Sequence, residues 1–173
     1  MNPRVFIRAP VAEDGAAFLA AVRRSRALHR PWVSPPATRQ AYRDYLERIS
    51  SPLHWGYLVI REGSEDFAGV ININNIICGN FLNGFLAYYA FSPWAGQGLM
   101  SEGMLLVLEN AFKKLKLHRL EANIQPDNLP SIAVARKCGF VLEGFSPRYL
   151  KVRGRWQDHE RWAIRAETYR SKI

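Results

Sequence analysis

The sequence of 173 residues has little of what marks several common protein classes. Two cysteines, Cys78 and Cys138, cannot form a disulfide framework, and no CxxC or HxxxH pattern indicates a metal site. No apolar run approaches the roughly 18 residues that a membrane-spanning helix requires. The first residues, MNPRVFIRAP, also lack the apolar stretch of a secretory signal. We therefore expect a cytoplasmic protein with no metal and no membrane contact.

Linkers and internal repeats are absent as well. No linker-like stretch divides the chain and no segment repeats, so we expect one domain over residues 1–173. A domain of this size buries about 70% of the surface of its unfolded chain. Since 48% of the residues are hydrophobic and 23% are charged, the composition is that of an ordinary globular domain with its own core.

Positive charge is in excess, but only in one part of the chain. Residues 1–112 carry 10 basic and 9 acidic side chains, whereas residues 113–173 carry 14 and 6. A basic C-terminal third is typical of proteins with a polyanionic partner, and a weak contact with RNA or the ribosome is one interpretation. A basic face that meets only water is the other. The sequence leaves both open.

Hydrophobic periodicity predicts an α/β domain. Alternating patterns predict strands at residues 4–9, 54–62, 67–77, 83–92, 118–125, 140–152 and 155–164. Helical spacing predicts helices at residues 12–28, 38–50, 99–117 and 129–138. The order βααβββαβαββ, with hairpins between three consecutive strands, predicts a mixed, mostly antiparallel sheet flanked by helices.

The segment most informative about chemistry is a glycine loop at residues 92–102, SPWAGQGLMSE. Gly96 and Gly98 stand between a predicted strand and a long helix, where backbone N–H groups and the positive helix end favour an anion such as pyrophosphate. A P-loop is excluded because no Gly-Lys-Ser/Thr follows. A Rossmann fingerprint is disfavoured because Ser101 stands where its third glycine belongs.

The loop resembles motif A, Gln/Arg-x-x-Gly-x-Gly/Ala, of the GCN5-related N-acetyltransferases (GNAT). The resemblance extends to IRAPVAED near the start, to LHRLEANIQPDNLPSIAVARKCGFVLEGF and to the ending WQDHERWAI, which are similar to the RimJ/RimL branch. It implies the GNAT fold, acetyl-CoA as co-substrate and transfer of an acetyl group to an amine. Enzymes of this branch acetylate the N-terminal α-amine of ribosomal proteins, so the resemblance implies such an acceptor here.

Carried over by position, the resemblance also implies a cofactor site around the loop. Backbone N–H groups would wrap the CoA pyrophosphate at Gly96, Gln97, Gly98, Leu99, Met100 and Ser101. Phe91 and Ser92 would pair with the pantetheine arm like an added strand, and Asn128 would contact the same arm. Lys137 and its neighbour Arg136 would either reach the phosphates or face water.

The sequence departs from the wider superfamily at positions that carry its chemistry. Pro93 replaces the first residue of motif A, Ala135 replaces a tyrosine acid, and Asn123 replaces a glutamate base. The nearest hydroxyl for the departing thiolate is then Ser131. Glu121 is a candidate base, although a surface or salt-bridged role explains it more readily. An α-amine has a pKa of about 8 and is partly neutral without a strong base, which favours such an acceptor.

Residues that bind the acceptor are harder to assign. Trp32 and Tyr149 lie in a proline-rich loop and a late strand, where relatives bind the acceptor, but simple packing explains each of them more readily. The four histidines are dispersed and are individually more typical of structural roles. Two other functions stay open: acetylation of a small amine such as a polyamine or an antibiotic, and a non-catalytic RNA- or ribosome-binding module. We expect a monomer or a homodimer.

Overall fold

A computed structural model describes residues 3–30 and 32–170 of the chain. The strands are β1 Val5–Arg8, β2 Trp55–Arg61, β3 Phe67–Ile77, β4 Asn83–Ala90, β5 Arg119–Ile124, β6 Val141–Val152 and β7 Arg155–Arg165. The helices are α1 Gly15–Arg24, α2 Arg26–His29, α3 Arg39–Ile49, α4 Leu99–Glu109, α5 Leu129–Lys137 and α6 Ala166–Arg170. A 3₁₀ turn, Ala12–Asp14, precedes α1, and a π-helical turn, Asn110–Lys114, extends α4. Within the described residues, no helix is long and apolar enough to span a membrane.

Seven strands form one sheet in the order β1-β2-β3-β4-β5-β7-β6. Neighbouring strands of this sheet are antiparallel, except that β4 and β5 are parallel. The prediction of a mixed, mostly antiparallel sheet is therefore confirmed, and β2, β3 and β4 form the predicted meander. The β6–β7 hairpin turns at Arg153 and Gly154, which both have positive φ, as a two-residue hairpin turn requires.

Helices cover both faces of the sheet. On one face, α4 and α5 pack against Val59 of β2 and Ile71 of β3. On the other face, Phe18 of α1 packs with Leu58 and Val70, the neighbours of those residues in sequence. Because successive side chains of a strand point to opposite faces, the alternation read from the sequence decides which helix pair each residue contacts.

Two side-chain caps lie at the N-terminal ends of α3 and α5, the two helices that the sequence predicts at residues 38–50 and 129–138. Thr38 Oγ1 accepts a hydrogen bond from Ala41 N at 3.1 Å at the start of α3. Asn128 Oδ1 accepts one from Ser131 N at 3.3 Å at the start of α5. Gly139 follows α5 with a φ of 90°, the left-handed conformation that ends many helices. The Asn128 cap therefore also fixes the position of Ser131.

Ser25 explains two of the boundaries that differ from the sequence prediction. The helix predicted over residues 12–28 is interrupted there, where the Ser25 hydroxyl donates to Ala21 O at 2.7 Å. A serine that bonds its own backbone competes with regular helical geometry. The same hydroxyl accepts from Ser92 N at 2.8 Å. Because that amide is bonded to the residue between α1 and α2 and not to a strand, β4 ends at Ala90 and not at residue 92.

The sheet is open between β4 and β5 at one end. Their pairing runs from Asn83↔Arg119 to Leu86↔Ala122 and stops there. The rest of β4 remains paired with β3 as far as Ala90. The opening begins where the last paired residues of β4 and β5 end, and a cavity lies on each side of it.

Candidate active site

The first cavity lies beside the glycine loop and has a volume of about 340 Å³. We call it the loop cleft. Its lining residues fall within residues 28–33, 88–90, 94–101 and 128–137, so the loop, the end of β4 and one face of α5 form its walls.

The glycine loop presents unpaired backbone donors to this cleft. Gly96 and Gly98 have φ values of 79° and 80°, a conformation that residues with a side chain rarely adopt. The N–H groups of residues 96–100 donate no hydrogen bond to the described part of the chain. Gly98 is also the N-cap residue of α4, which begins at Leu99. Unpaired amides clustered at the positive end of a helix fit a pyrophosphate.

Two cations flank Gly98. A Cβ atom at Gly98 would lie 3.4 Å from Arg4 Nη2 and 3.6 Å from Lys137 Nζ. Arg4 also donates to Gln97 O at 3.1 Å and forms an ion pair with Glu102. Its hydrogen bonds lower the pKa of the Glu102 carboxyl, so that side chain is a carboxylate balanced by a cation. Sequence analysis missed Arg4, because no motif links it to a loop 93 residues further along the chain.

The structure shows which of two neighbouring basic residues faces the loop cleft, a choice that the sequence left open. Lys137 lines the loop cleft. The Arg136 guanidinium instead lies 5.3 Å from the centre of the Trp162 ring, a cation–π contact. Successive residues of a helix point about 100° apart, so one of the two faces the cleft and the other faces β7.

Phe91 and Ser92 are not placed as the sequence analysis expected. Phe91 N donates to Ala68 O at 2.7 Å and Phe91 O accepts from Trp94 N at 2.9 Å, while its ring is buried in the core beside α1. Ser92 N is bonded to Ser25 Oγ. The expected strand-like pairing with pantetheine is therefore corrected, because these backbone groups already have partners within the chain.

The strand edge at the opening belongs to Tyr88 and Ala90. Because Phe91 N points toward β3, strand alternation directs the backbone groups of Tyr88 and Ala90 toward β5. These two residues lie beyond the last β4–β5 pair. The carbonyl of Ala90 accepts from His29 Nε2 at 2.7 Å. The N–H groups of Tyr88 and Ala90 therefore point into the space where the strands separate.

The other predicted cofactor residues divide into two groups. Met100, Ser101 and Asn128 line the loop cleft, although the Ser101 amide donates within the first turn of α4 at 3.1 Å. Leu99 and Gln97 contribute only backbone. The Leu99 side chain is 4% exposed in the core, and that of Gln97 bonds within the loop.

The second cavity lies on the other side of the opening, under the β6–β7 hairpin, and has a volume of about 410 Å³. We call it the hairpin cavity. None of its lining residues in the described part of the chain is acidic. Asn74 and Asn123 both line it, and the Oδ1 atom of each is buried without a hydrogen-bond partner among the described residues. Its polar lining is therefore one of amides, hydroxyls and aromatic N–H groups.

The two cavities meet at a shared wall. Trp32, Tyr88, Asn128 and Ser131 line both. Tyr88 OH donates to Ser131 O at 2.9 Å, and burial raises the pKa of Tyr88, so this phenol keeps its proton. The hydroxyl of Ser131 has no hydrogen bond to the described part of the chain. It is therefore free to meet a ligand where the cavities join.

Glu121 is not brought to either cavity. Its carboxylate lies 2.9 Å from Arg119 Nε, and Arg119 also donates to Glu143 at 3.0 Å. Glu121 is paired with Phe85 where the sheet is still closed, whereas Asn123 lies beyond the last pair. The salt-bridge interpretation of Glu121 fits this arrangement, and we leave it out of the site.

Trp32 and Tyr149 both line the hairpin cavity. The sequence analysis missed Tyr88 and His159, which line it as well. Tyr88 lies within an alternating strand and His159 within a late one, so neither belongs to a spacing pattern that indicates a site. Only the opening of the sheet and the fold of the hairpin bring them together.

A family model described as an acetyltransferase (GNAT) domain matches residues 4–141. The chain therefore belongs to the GNAT acetyltransferase family, as the resemblance of its glycine loop implied. It is an N-acetyltransferase, and acetyl-CoA is its co-substrate. The unpaired amides and the two cations of the loop cleft fit the pyrophosphate of that molecule.

Two known proteins show how far the sequence likeness extends. The chain is 33% identical over 126 residues to the probable N-acetyltransferase YjcK of Bacillus subtilis, covering 73% of this chain and 70% of the relative. It is also 33% identical over 95 residues to the ribosomal protein uS5-alanine N-acetyltransferase of Escherichia coli, covering 55% of this chain and 49% of the relative. This second match spans about half the length of that relative.

Solved structures share the fold over nearly the whole chain. RimJ of Mycobacterium smegmatis in complex with CoA-disulfide has a TM-score of 0.86 and 27% identity, covering 94% of this chain and 82% of that one. The spermidine N-acetyltransferase of Vibrio cholerae in complex with CoA and spermine has a TM-score of 0.82 and 19% identity, covering 97% and 99%. At that identity the likeness shows the fold alone, so the acceptor must be argued from the site.

Proposed function

We propose that this enzyme transfers the acetyl group of acetyl-CoA to the N-terminal α-amine of a protein chain, with ribosomal proteins as the first class to test. The observation that carries the proposal is the hairpin cavity, whose described lining residues include no carboxylate. An α-amine has a pKa of about 8, so at neutral pH a weak base is enough to give the neutral nucleophile inside such a cavity. The E. coli relative named for the alanine of uS5 supports the same class of acceptor.

The charge around the hairpin cavity opposes a polyamine acceptor. A polyamine carries several ammonium groups, and a buried ammonium without a counter-charge is strongly disfavoured. Arg148, Lys151 and Arg155 are exposed on the hairpin that covers the cavity. This positive rim repels a polycation more strongly than an amine that carries at most one charge.

The loop cleft would hold the acyl donor mainly through backbone. The amides of residues 96–100 would bind the pyrophosphate, and Arg4 and Lys137 would balance its charge. The N–H groups of Tyr88 and Ala90 would hold the thioester end in the opening between β4 and β5. Acetyl-CoA supplies an activated acetyl group, and the protein supplies its position and the donors that polarise the carbonyl.

Transfer would be direct, across the wall that the two cavities share. The amine would reach from the hairpin cavity to the thioester carbonyl, so that an N–C bond forms and the C–S bond breaks. Ser131 would give its proton to the departing thiolate and regain one from the amine nitrogen, because its hydroxyl is free and lies at the junction. Tyr88 would hold the first turn of α5 in place through Ser131 O.

The positive rim also supports a partner. Arg153, like the three residues named above, is exposed, and the C-terminal third carries most of the excess positive charge. We include in the proposal a weak contact between this rim and ribosomal RNA. Such a contact would weaken steeply with salt, since it depends on phosphate neutralisation.

A panel of acceptors tests the proposed function. The panel contains peptides with a free N-terminal α-amine, the same peptides blocked at the N-terminus with a lysine added as the acceptor, and spermidine. We expect kcat/KM for the free α-amine to exceed that for spermidine by about 100-fold or more, since the acid-free cavity rejects a polycation. Equal or faster acetylation of spermidine would contradict the proposal, and so would faster acetylation of the blocked, lysine-containing peptide.

A further inference from the structure

The hairpin cavity contains one histidine, His159, in a defined orientation. His159 is only 3% exposed, and the solvent space that it borders is the cavity. Its ring packs edge-on against Tyr149 of β6, with ring centres 6.2 Å apart. Its Nδ1 atom lies 3.0 Å from the backbone carbonyl of Gln157. The ring is thus held by both strands of the hairpin.

This hydrogen bond decides which nitrogen of His159 carries the proton. A carbonyl oxygen can only accept, so Nδ1 must be the donor to Gln157 O. In the neutral ring, Nε2 then carries the lone pair. Nε2 has no hydrogen bond to the described part of the chain. It is also not one of the fully buried side-chain atoms that lack a partner among the described residues. The lone pair is therefore accessible, and the cavity is the space that it faces.

His29 provides the opposite case within the same molecule. Its Nε2 atom donates to Ala90 O at 2.7 Å, and its Nδ1 atom is sealed without a partner among the described residues. Burial also lowers the pKa of His29. Neither nitrogen of His29 can take a proton from a ligand. Among the described residues, His159 is the histidine of the two cavities that offers a free lone pair.

Among the described residues, no carboxylate lines the hairpin cavity beside His159. The other titratable groups that line it in the described part of the chain are the phenols of Tyr88 and Tyr149. On β7 itself, Glu160 accepts from Trp162 Nε1 at 2.9 Å, and Arg161 lies against Gly144. A phenol is a poor proton acceptor near neutral pH. The imidazole is the lining group in the described part of the chain that carries a basic nitrogen lone pair.

We propose that His159 is the general base of the transfer, acting through Nε2 on the acceptor amine. This inference rests on the proposed function and names the proton acceptor that the missing glutamate leaves open. The acceptor ammonium loses two protons in the reaction. One passes to Nε2 and from there to water as the amine lone pair forms, and the amine nitrogen then bonds to the acetyl carbon. The second leaves nitrogen as the C–S bond breaks and replaces the proton that Ser131 gives to the CoA thiolate, which ends as a thiol.

The test compares His159→Gln with the wild type, using the amine that the wild type acetylates fastest. The glutamine amide can still donate to Gln157 O but offers no basic nitrogen. At pH 7 we expect kcat/KM for the acceptor to fall about 100-fold, the lower range for general-base catalysis, with the Kd for acetyl-CoA unchanged. The defect should shrink below about 10-fold as pH approaches the acceptor's own pKa, because the amine then needs no base. A loss below 3-fold at pH 7, or one that is independent of pH, overturns the proposal.

A control and a second measurement keep the result interpretable. His118→Gln removes a histidine that pairs with Glu167 away from both cavities, and it should keep wild-type kcat/KM. If His159→Gln does not fold, ¹⁵N NMR of the wild-type histidines decides: the Nδ1–H tautomer at His159 supports the proposal and the Nε2–H tautomer overturns it. Because the acceptor in these assays is chosen empirically, failure of the peptide panel and failure of the base are observed separately.

Discussion

The loop cleft and the hairpin cavity meet at Ser131 but are built in different ways. The loop cleft offers a run of consecutive backbone amides, two glycines at positive φ and a helix start, with Arg4 and Lys137 beside them. The hairpin cavity is lined by side chains from segments as far apart in sequence as residues 32 and 159. One site is made of main chain and the other of side chains.

This difference explains what each cavity can recognise. A backbone site for pyrophosphate needs a particular chain path, so only substitutions that disturb this path affect it strongly. A side-chain site changes with every lining residue, so acceptor choice can vary while donor binding stays the same. Substitutions in the loop cleft should therefore change acetyl-CoA affinity, and substitutions at the junction should change the rate.

The largest expected effect is at Gly98. In Gly98→Val, a side chain would enter the space beside Arg4 and Lys137 and would strain a φ of 80°. We expect acetyl-CoA affinity, measured by calorimetry, to fall more than about 100-fold. The thermal stabilisation by acetyl-CoA, about 2.7 kcal/mol at 100 times Kd for the wild type, should disappear.

Gly63→Val is the matched control for Gly98→Val. Gly63 also has a φ of 80°, but it lies in the β2–β3 turn with open space around it. The control should therefore carry the same backbone strain and keep wild-type affinity for acetyl-CoA. If Gly98→Val also keeps that affinity, the pyrophosphate is bound elsewhere and the comparison of the two cavities fails.

At the junction, Ser131→Ala should affect the rate and not binding. We expect kcat to fall about 10- to 100-fold because the departing thiolate loses its proton donor. The Kd for acetyl-CoA should change less than about 3-fold, since the hydroxyl matters as charge develops on sulfur. Single-turnover kinetics isolate the chemical step, and Ser64→Ala in the β2–β3 turn is the control. An unchanged single-turnover rate would leave water as the proton donor.

A smaller effect distinguishes the two basic residues at the end of α5. Lys137→Met should weaken acetyl-CoA binding about 10-fold and reduce its salt dependence, because one cation beside the phosphates is lost. Arg136→Met changes the same charge one position earlier, where the side chain stacks on Trp162. It should leave the Kd within about 2-fold of the wild type. Equal losses of acetyl-CoA affinity in both variants would mean that net charge, and not the position of Lys137, determines binding.

The smallest effect is a pH dependence of stability at His29. Burial lowers its pKa in the folded state, so the unfolded chain binds a proton first as pH falls below about 6.5. Stability from this group is thus present above that pH and is lost on acidification, with a slope of at most about 1.4 kcal/mol per pH unit. His29→Gln can keep the bond to Ala90 O but cannot titrate. Urea unfolding between pH 5 and 7 should show a shallower slope for the variant, and identical slopes would refute this role.

The fold was largely predictable because local patterns and tertiary structure agree. The alternation of β2, β3 and β4 and the helical spacing of α3 were visible in the sequence, and each is present. The end of β4 was not predictable. The last two residues of the predicted strand fit its alternation. The amide of Ser92 nevertheless donates to the hydroxyl of Ser25, which lies between α1 and α2, far away in the sequence.

The glycine loop of the loop cleft could be predicted from the sequence because one continuous segment forms it. Two glycines before a helical pattern are enough to predict free amides at a helix start, and the structure has them at residues 96–100. The contribution of Arg4 was not predictable, because it depends on β1 lying beside the loop. The same reason applies to the choice between Arg136 and Lys137, which depends on the direction that each side chain takes from α5.

The sequence by itself determined the class of fold, the glycine loop and its fit to an anion such as pyrophosphate, since these depend on periodicity and on backbone chemistry that a short segment contains. Only the tertiary structure decided where β4 and β5 separate, that Glu121 is bound in an ion pair, and that His159 presents a lone pair to the hairpin cavity. These features depend on contacts between segments far apart in the chain. Such contacts leave no periodic signal, because the residues that meet are adjacent in space and not in sequence.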